Sequence, residues 1–382
     1  MRGGFRKGAG RKSIAKRKVA VNIYMPEDLY KEIDKVDINN CSSFSKKCVS
    51  LLAKAIDISN KEEFKMNDKL RFIDLFAGIG GIRKGFEDKN TIGVFSSEWD
   101  KFAQKTYEAN YGEKPYGDIT QIKAEDIPEH DVLLAGFPCQ PFSMIGKREG
   151  FKHKTQGTLF FDVLRIMSYH MPKMFLLENV QGLLTIQNGE ALKLIIKSLE
   201  DMSYNVFYEV LDAQNFGLPQ IRKRVIIIGF RNDLKITDFN FPKGNPNFRK
   251  RVCEILESNP EGYSISRHLQ DSYLFKKDDG KPQIVDSRSE IQVKTLVASY
   301  HKIQRLTGTF VKGGETGIRL FSELECKRLM GFPDDFIIPV SRTQMYRQFG
   351  NSVAVPMIKA VADEMKTAYF KSIENEKSSY IK

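Results

Sequence analysis

Five cysteines are all that 382 residues contain, and none has a partner in the sequence. Cys41, Cys48, Cys139, Cys253 and Cys326 are scattered and odd in number, with no Cys-x-x-Cys pair and no Cys/His cluster. That spacing excludes a disulfide framework and a zinc site, so no metal is expected. A reducing cytoplasm, which keeps a thiol free, is the expected setting. No run approaches the roughly eighteen apolar residues of a membrane span. The basic N-terminus lacks the apolar stretch of a secretory signal. Internal repeats are absent. Met1 to Lys18 holds no acidic residue but eight Lys or Arg, and the remainder carries 52 basic against 48 acidic residues. A basic arm on a mildly basic body points to a polyanion partner.

Past the arm (1–18), the alternation Val19, Val21, Ile23, Met25 predicts a short strand with one apolar face. Pro26 opens a helix carrying Leu29, Ile33 and Val36, and Ser42 or Ser43 can cap a second one carrying Phe44, Cys48, Leu51, Leu52 and Ala55. Strand, helix, helix over 19–58 resembles a ribbon-helix-helix DNA-binding module. A lone strand cannot bury its apolar face, so a homodimer through this module is expected. A polar linker (59–69) follows. From Leu70 the pattern is α/β: apolar strands at 70–75, 91–97, 131–135, 174–177, 205–211 and 225–228 alternate with helical segments. This predicts a doubly wound, mostly parallel sheet over 70–231. Residues 232–318 break the alternation and read as a small irregular domain. Residues 319–372 return to the first domain, with helices near 322–330 and after Val353, and 373–382 form a tail.

The chemistry centres on Gly136-Phe137-Pro138-Cys139-Gln140-Pro141-Phe142-Ser143, just after a buried strand. Open α/β sheets place their sites at the carboxyl ends of strands. A thiolate there could serve acyl transfer with a histidine base, but none of His130, His153, His170, His268 and His301 stands at a strand end facing it. Glu178 and Arg222/Arg224 do stand at strand ends. A carboxyl group and guanidinium groups beside a thiolate suit Michael-type addition to carbon 6 of a pyrimidine, which activates carbon 5 toward a methyl group. The turn Gly78-x-Gly80-Gly81 lacks the dinucleotide spacing. Glu98 ends the second strand, where an acid can take both ribose hydroxyls, and Asp74 and Asp118 add carboxylates near the same edge. That edge disfavours a pyrophosphate and suits the cationic S-adenosyl-L-methionine.

Eight stretches in order then carry a resemblance: DLFAGIGG, Glu98-Trp99, Tyr116-Gly117-Asp118-Ile119, GFPCQPFS, Glu178-Asn179-Val180, QIRKRV, RLMGFP and QFGNSVAVP. Residues 70 to 370 resemble a DNA (cytosine-5) methyltransferase of the bacterial restriction–modification type. The resemblance implies the S-adenosylmethionine-dependent methyltransferase fold, double-stranded DNA as partner in the cytoplasm at the nucleoid, and base flipping. It implies Cys139 as nucleophile, Glu178 on the target cytosine, and Arg222 and Arg224 lining that pocket. It implies Phe76, Gly78, Gly80, Glu98, Trp99, Asp118, Ile119, Pro138, Asn351 and Val353 around S-adenosyl-L-methionine. Residues 232–318 fall where the family has its target-recognition domain. Met144 to Thr158 matches the family's mobile loop but has Gln156 where the family carries arginine, with Lys147, Arg148, Lys152 and Lys154 as substitutes. Two rivals stay open: an RNA cytosine-5 methyltransferase, and a DNA-binding repressor with an inactive methylase domain.

Overall fold

The computed structural model describes residues 69–138 and 159–379, together with Tyr30, Lys31, Ile33, Lys35, Phe44, Lys47, Cys48, Ser50, Leu51 and Leu52. Cys139, the loop 144–158, the basic arm and the strand Val19 to Met25 lie outside these residues, and with that strand the expected homodimer contact. The chain divides at Asn67 into two units. In the first, the described residues are helical, and the rings of Tyr30 and Phe44 stack with centroids 4.1 Å apart.

The second unit begins with β1 (Leu70–Leu75), α1 (Gly81–Phe86), β2 (Thr91–Ser97) and α2 (Lys101–Tyr111). It continues through β3 (Val132–Ala135), α3 (Phe160–His170), β4 (Met174–Val180), α4 (Glu190–Glu200), β5 (Tyr204–Asp212) and β6 (Lys223–Arg231). The six strands form one sheet in the order β2-β1-β3-β4-β6-β5. β2, β1, β3 and β4 pair in parallel, while β6 runs antiparallel to both β4 and β5. Hence β6 alone is reversed. The reversal follows from the connection: Ala213 to Arg222 holds one short 3-10 turn and no crossover helix, and a parallel return needs a dozen residues or more.

β1, β3, β4 and β6 bury both faces over most of their length, which explains their mainly apolar runs, whereas β5 at the sheet edge leaves Tyr208 and Glu209 exposed. Ile73, Leu75, Leu133, Phe175 and Leu177 face α3 and α4, in one core with Val163, Met167, Ile195 and Leu199. Their alternate neighbours Phe72, Leu134, Met174 and Leu176 face a core with Ile82 and Phe86 of α1 and with Met357, Ile358, Val361 and Met365. Those four belong to the last helix, α7, which runs Val355–Ser379, through most of the stretch expected as a tail.

A third core is organised by Val252, Ile265, Leu274, Val293, Tyr300, Phe310 and Phe321. It surrounds a small sheet of β7 (Gln283–Val285), β8 (Thr309–Lys312) and β9 (Ile318–Arg319). Two helices after it, α5 (Glu323–Met330) and α6 (Arg342–Asn351), bury Cys326, Leu329, Met345, Tyr346 and Phe349 in this same core. The sequence reading placed 319–372 wholly with the first domain and missed α6. Glycine inside that helix and its low apolar content hid it.

Candidate active site

The order reverses direction between β1 and β3, the switch point at which open α/β sheets place their ligands. Leu75 is in register with Ala135, and Ala135 with Leu177. The glycine turn after β1, the Gly136-Phe137-Pro138 loop after β3 and Glu178 on β4 therefore meet at one edge. A side chain built on Gly136 would begin 3.9 Å from Glu178 Oε2. Asn179 Nδ2 donates to the carbonyl of Phe137 at 3.0 Å and fixes the loop that leads to Cys139. Phe137 is buried and Pro138 exposed.

Glu178 is buried, and burial raises its carboxyl pKa against the opposing pull of Arg224 and then Arg222. Arg224 lies diagonally across on β6, where Glu178 pairs with Ile226 and Val180 with Arg224. Arg224 Nε is 2.9 Å from Glu178 Oε1. The two groups form a close ion pair through Oε1. Arg222 differs from the expectation that it lines the pocket. It is 1% exposed, and its Nη1 and Nη2 donate to the carbonyls of Leu296, Gly350 and Ser352. Arg224 is thus the guanidinium at Glu178, and Arg222 is spent on the main chain.

At the glycine turn, Glu98 accepts the N–H of Gly78 at 2.8 Å on Oε2 and that of Asp100 at 2.8 Å on Oε1. Burial raises its pKa and these N–H groups oppose the rise. An ionised carboxylate has about four acceptor sites, more than these backbone N–H groups fill. Tyr116 O accepts the Glu98 N–H at 2.8 Å, which lays the 116–119 segment beside Glu98. There Ile119 is buried, and the exposed Asp118 caps its own turn through the Thr120 N–H. Trp99 is 76% exposed and Phe76 partly exposed, with φ at 55°. Asp74 is buried with neither carboxyl oxygen hydrogen-bonded, and burial lifts its pKa well above the usual range, with Arg83 opposing. Gly81 explains how Asn351 and Val353 arrive: a Cβ there would stand 2.5 Å from Ser352 Oγ and 3.0 Å from Val353 Cγ2. The turn before α7 thus lies against the turn after β1. Asn351 is exposed at the end of α6, and Val353 is buried.

A model of the C-5 cytosine-specific DNA methylases matches residues 70–367. The chain belongs to that family. This methylase is 62% identical to Type II methyltransferase M.BsuFI of Bacillus subtilis, over 96% of this chain and 97% of that one. It is 56% identical to Type II methyltransferase M.MspI of Moraxella sp, over 83% of this chain and 75% of the other. The first match leaves 4% of the chain outside it, so most of the N-terminal unit has a counterpart there. S. pombe Dnmt2 shares the fold with a TM-score of 0.61 at 22% identity, over 80% of this chain and 98% of that one. The Entamoeba histolytica methyltransferase EhMeth does so with 0.62 at 21%, over 80% and 99%.

The methylase acts on carbon 5 of cytosine at specific DNA sites, as a Type II restriction–modification enzyme. The family description and these relatives set aside the RNA enzyme and the inactive repressor. S-adenosyl-L-methionine is the methyl donor of such enzymes. The residues at the turn fit it: Glu98 retains acceptor sites, Asp74 has two buried oxygens without partners, and the Trp99 ring is open. No helix among the described residues is long and apolar enough to cross a membrane.

Sequence reasoning missed the polar layer under this turn. Arg83 Nη1 donates to Tyr107 Oη at 3.0 Å and pairs with Glu113, and its Nε donates to Glu87 at 2.9 Å. Tyr111 Oη donates to Gly80 O at 2.7 Å and holds the turn from below. Tyrosines at 107 and 111, four apart and so on one helix face, were a legible signal. Their partner Arg83 was not, because a cation on α1 reads as a solvated residue.

Proposed function

We propose that methyl transfer proceeds by covalent addition of Cys139 to the target cytosine at the edge where β1, β3 and β4 end. Glu178 carries this reading: a buried carboxyl with a raised pKa, paired to Arg224 through Oε1, at the edge that Gly136 borders. Chain geometry keeps Cys139 within about 11 Å of Gly136, which borders Glu178. The target base must leave the duplex stack to reach this edge. The Cys139 thiolate adds to carbon 6. Protonated Glu178 donates to ring nitrogen 3, and Arg224 faces the ring oxygen and the flanking phosphate. Negative charge developed on the ring makes carbon 5 nucleophilic. Bound S-adenosyl-L-methionine supplies an electrophilic methyl group there. The carbon-5 proton then passes to water and the carbon 6–sulfur bond breaks, which restores the aromatic ring and the free Cys139 thiolate. A reducing cytoplasm, with the DNA of the nucleoid at hand, suits a free thiol.

For the cofactor we assign the ribose hydroxyls to Glu98 and the adenine to Phe76, Trp99, Asp118 and Ile119. Asp74, Gly78, Gly80, Pro138, Asn351 and Val353 complete the wall. Glu98→Ala is expected to weaken S-adenosyl-L-methionine binding by about 1–3 kcal/mol, the cost of leaving hydrogen-bonding groups unpaired. Calorimetry reads this directly, and an unchanged Kd would place the ribose elsewhere.

We assign sequence specificity to residues 232–318. This segment supplies much of a separate core, with exposed Tyr273 and Phe275 beside exposed Lys276, Lys277 and Lys281. Aromatics among cations suit bases and phosphates. Replacing the segment by that of M.MspI is expected to move the methylated site wherever the two enzymes' sites differ, mapped by bisulfite sequencing. An active hybrid that still marks the original site would refute the assignment.

A further inference from the structure

Residues 295–298, within the small domain's segment, pass between Gln220–Ile221 and the end of α6. Thr295 Oγ1 donates to Ile221 O at 2.7 Å, and the Leu296 N–H to Gln220 Oε1 at 2.7 Å. On its other side this stretch touches the end of α6: a Cβ on Gly350 would stand 2.1 Å from the nitrogen of Ala298. Only glycine allows two backbones this close. One side chain joins both sides. Arg222 Nη1 donates to Leu296 O at 2.9 Å, and Nη2 to Gly350 O at 3.1 Å and to Ser352 O. Ser352 in turn lies against Gly81 of the turn after β1. A fully buried cation with no acid in its hydrogen bonds is costly, and here three main-chain carbonyls hold it. Arginine's fixed fork can reach carbonyls on two segments together, which a lysine's point charge cannot.

We infer that Arg222 is a positioning residue that couples DNA held by the small domain to cofactor held at the glycine turn. The inference rests on the site assigned above. It treats Leu296 as part of the recognising segment and 350–352 as the wall of the cofactor pocket. When either ligand fixes its segment, Arg222 carries the constraint to the other. Such coupling must be reciprocal: cofactor tightens DNA by the factor by which DNA tightens cofactor.

The test uses the full chain and a duplex bearing the site mapped by bisulfite sequencing. Its Kd is measured with and without S-adenosylhomocysteine. Wild type should bind this duplex at least fivefold tighter with S-adenosylhomocysteine. In Arg222→Lys the ratio should fall to within twofold of one, while S-adenosylhomocysteine alone binds within about threefold of wild type. Thr295→Val, which removes a neighbouring bond and leaves the bridge, should keep the wild-type ratio. An undiminished ratio in Arg222→Lys, or an equal loss in Thr295→Val, overturns the inference. If Arg222→Lys does not fold, hydrogen exchange on wild type decides. The duplex alone should slow exchange at the Ser352 and Val353 amides, and S-adenosylhomocysteine alone should slow it at Val297 and Ala298. Absence of both effects overturns the coupling. A wild type that binds no S-adenosylhomocysteine overturns the cofactor site itself, whereas normal binding of both ligands with a ratio of one overturns the coupling alone.

Discussion

Cys139→Ser is expected to abolish methyl transfer, with kcat reduced on the order of 10⁴-fold or more, as when a nucleophile is removed from an enzyme that depends on it. The serine hydroxyl is far less ionised near pH 7 than a thiol with a cation nearby. Kinetics alone would not separate a nucleophile from a structural cysteine, so the deciding measurement is a trap. A duplex with 5-fluorocytosine at the target cannot lose its carbon-5 substituent as a proton, and the adduct stalls before the thiolate is expelled. Wild type plus S-adenosyl-L-methionine should give a complex that survives denaturing electrophoresis, and Cys139→Ser should give none. A covalent complex from the serine variant would move the nucleophile elsewhere. Cys326 lies buried in the third core and is not an alternative on this edge.

Glu178→Gln should lower kcat by about 10²- to 10³-fold, the usual contribution of a placed acid. The amide keeps shape and polarity but loses the ion pair with Arg224. The pH profile sharpens the test. Burial holds the Glu178 pKa above the ordinary carboxylate range, despite Arg224 and Arg222. The protonated carboxyl is the form that donates to ring nitrogen 3. Below the raised pKa this form dominates, and as pH rises through it the donor is lost, so wild-type kcat/KM should fall on that limb. Glutamine does not ionise, and the variant's residual activity should lack the fall. Thiol ionisation at Cys139 acts in the opposite direction and is common to both proteins, so the ratio of the two profiles isolates Glu178. A ratio constant with pH would mean that Glu178 only positions the base.

What local pattern encodes was legible before the fold. Val132–Ala135 and Met174–Leu177 are apolar without interruption, and Leu70–Leu75 is apolar but for Arg71 and Asp74, because both sheet faces are covered, and that signature survives in one dimension. Chemistry bound to a strand end was legible for the same reason, since Gly78, Glu98 and Gly136 each stand one to three residues past a strand and Glu178 directly follows the apolar run Met174–Leu177. Contacts made at long range were not. Arg222 reads as one more cation in QIRKRV; only the fold brings Leu296 and Gly350, 74 and 128 residues away, to its guanidinium. Strand direction was likewise silent, because an apolar run reads the same either way, and the reversal of β6 depended on a connection without a helix. Residues 232–318 hid their core because β7, β8 and β9 are two to four residues long. Periods so short leave no pattern, and those side chains become a core only when α5 and α6 close over them. By itself, then, the sequence determined the buried strands and the residue types at their ends, because those depend on neighbours in the chain. Tertiary structure alone decided which of these groups meet and which arginine faces the glutamate, because a buried charge goes to whatever partner the packed backbone brings within reach.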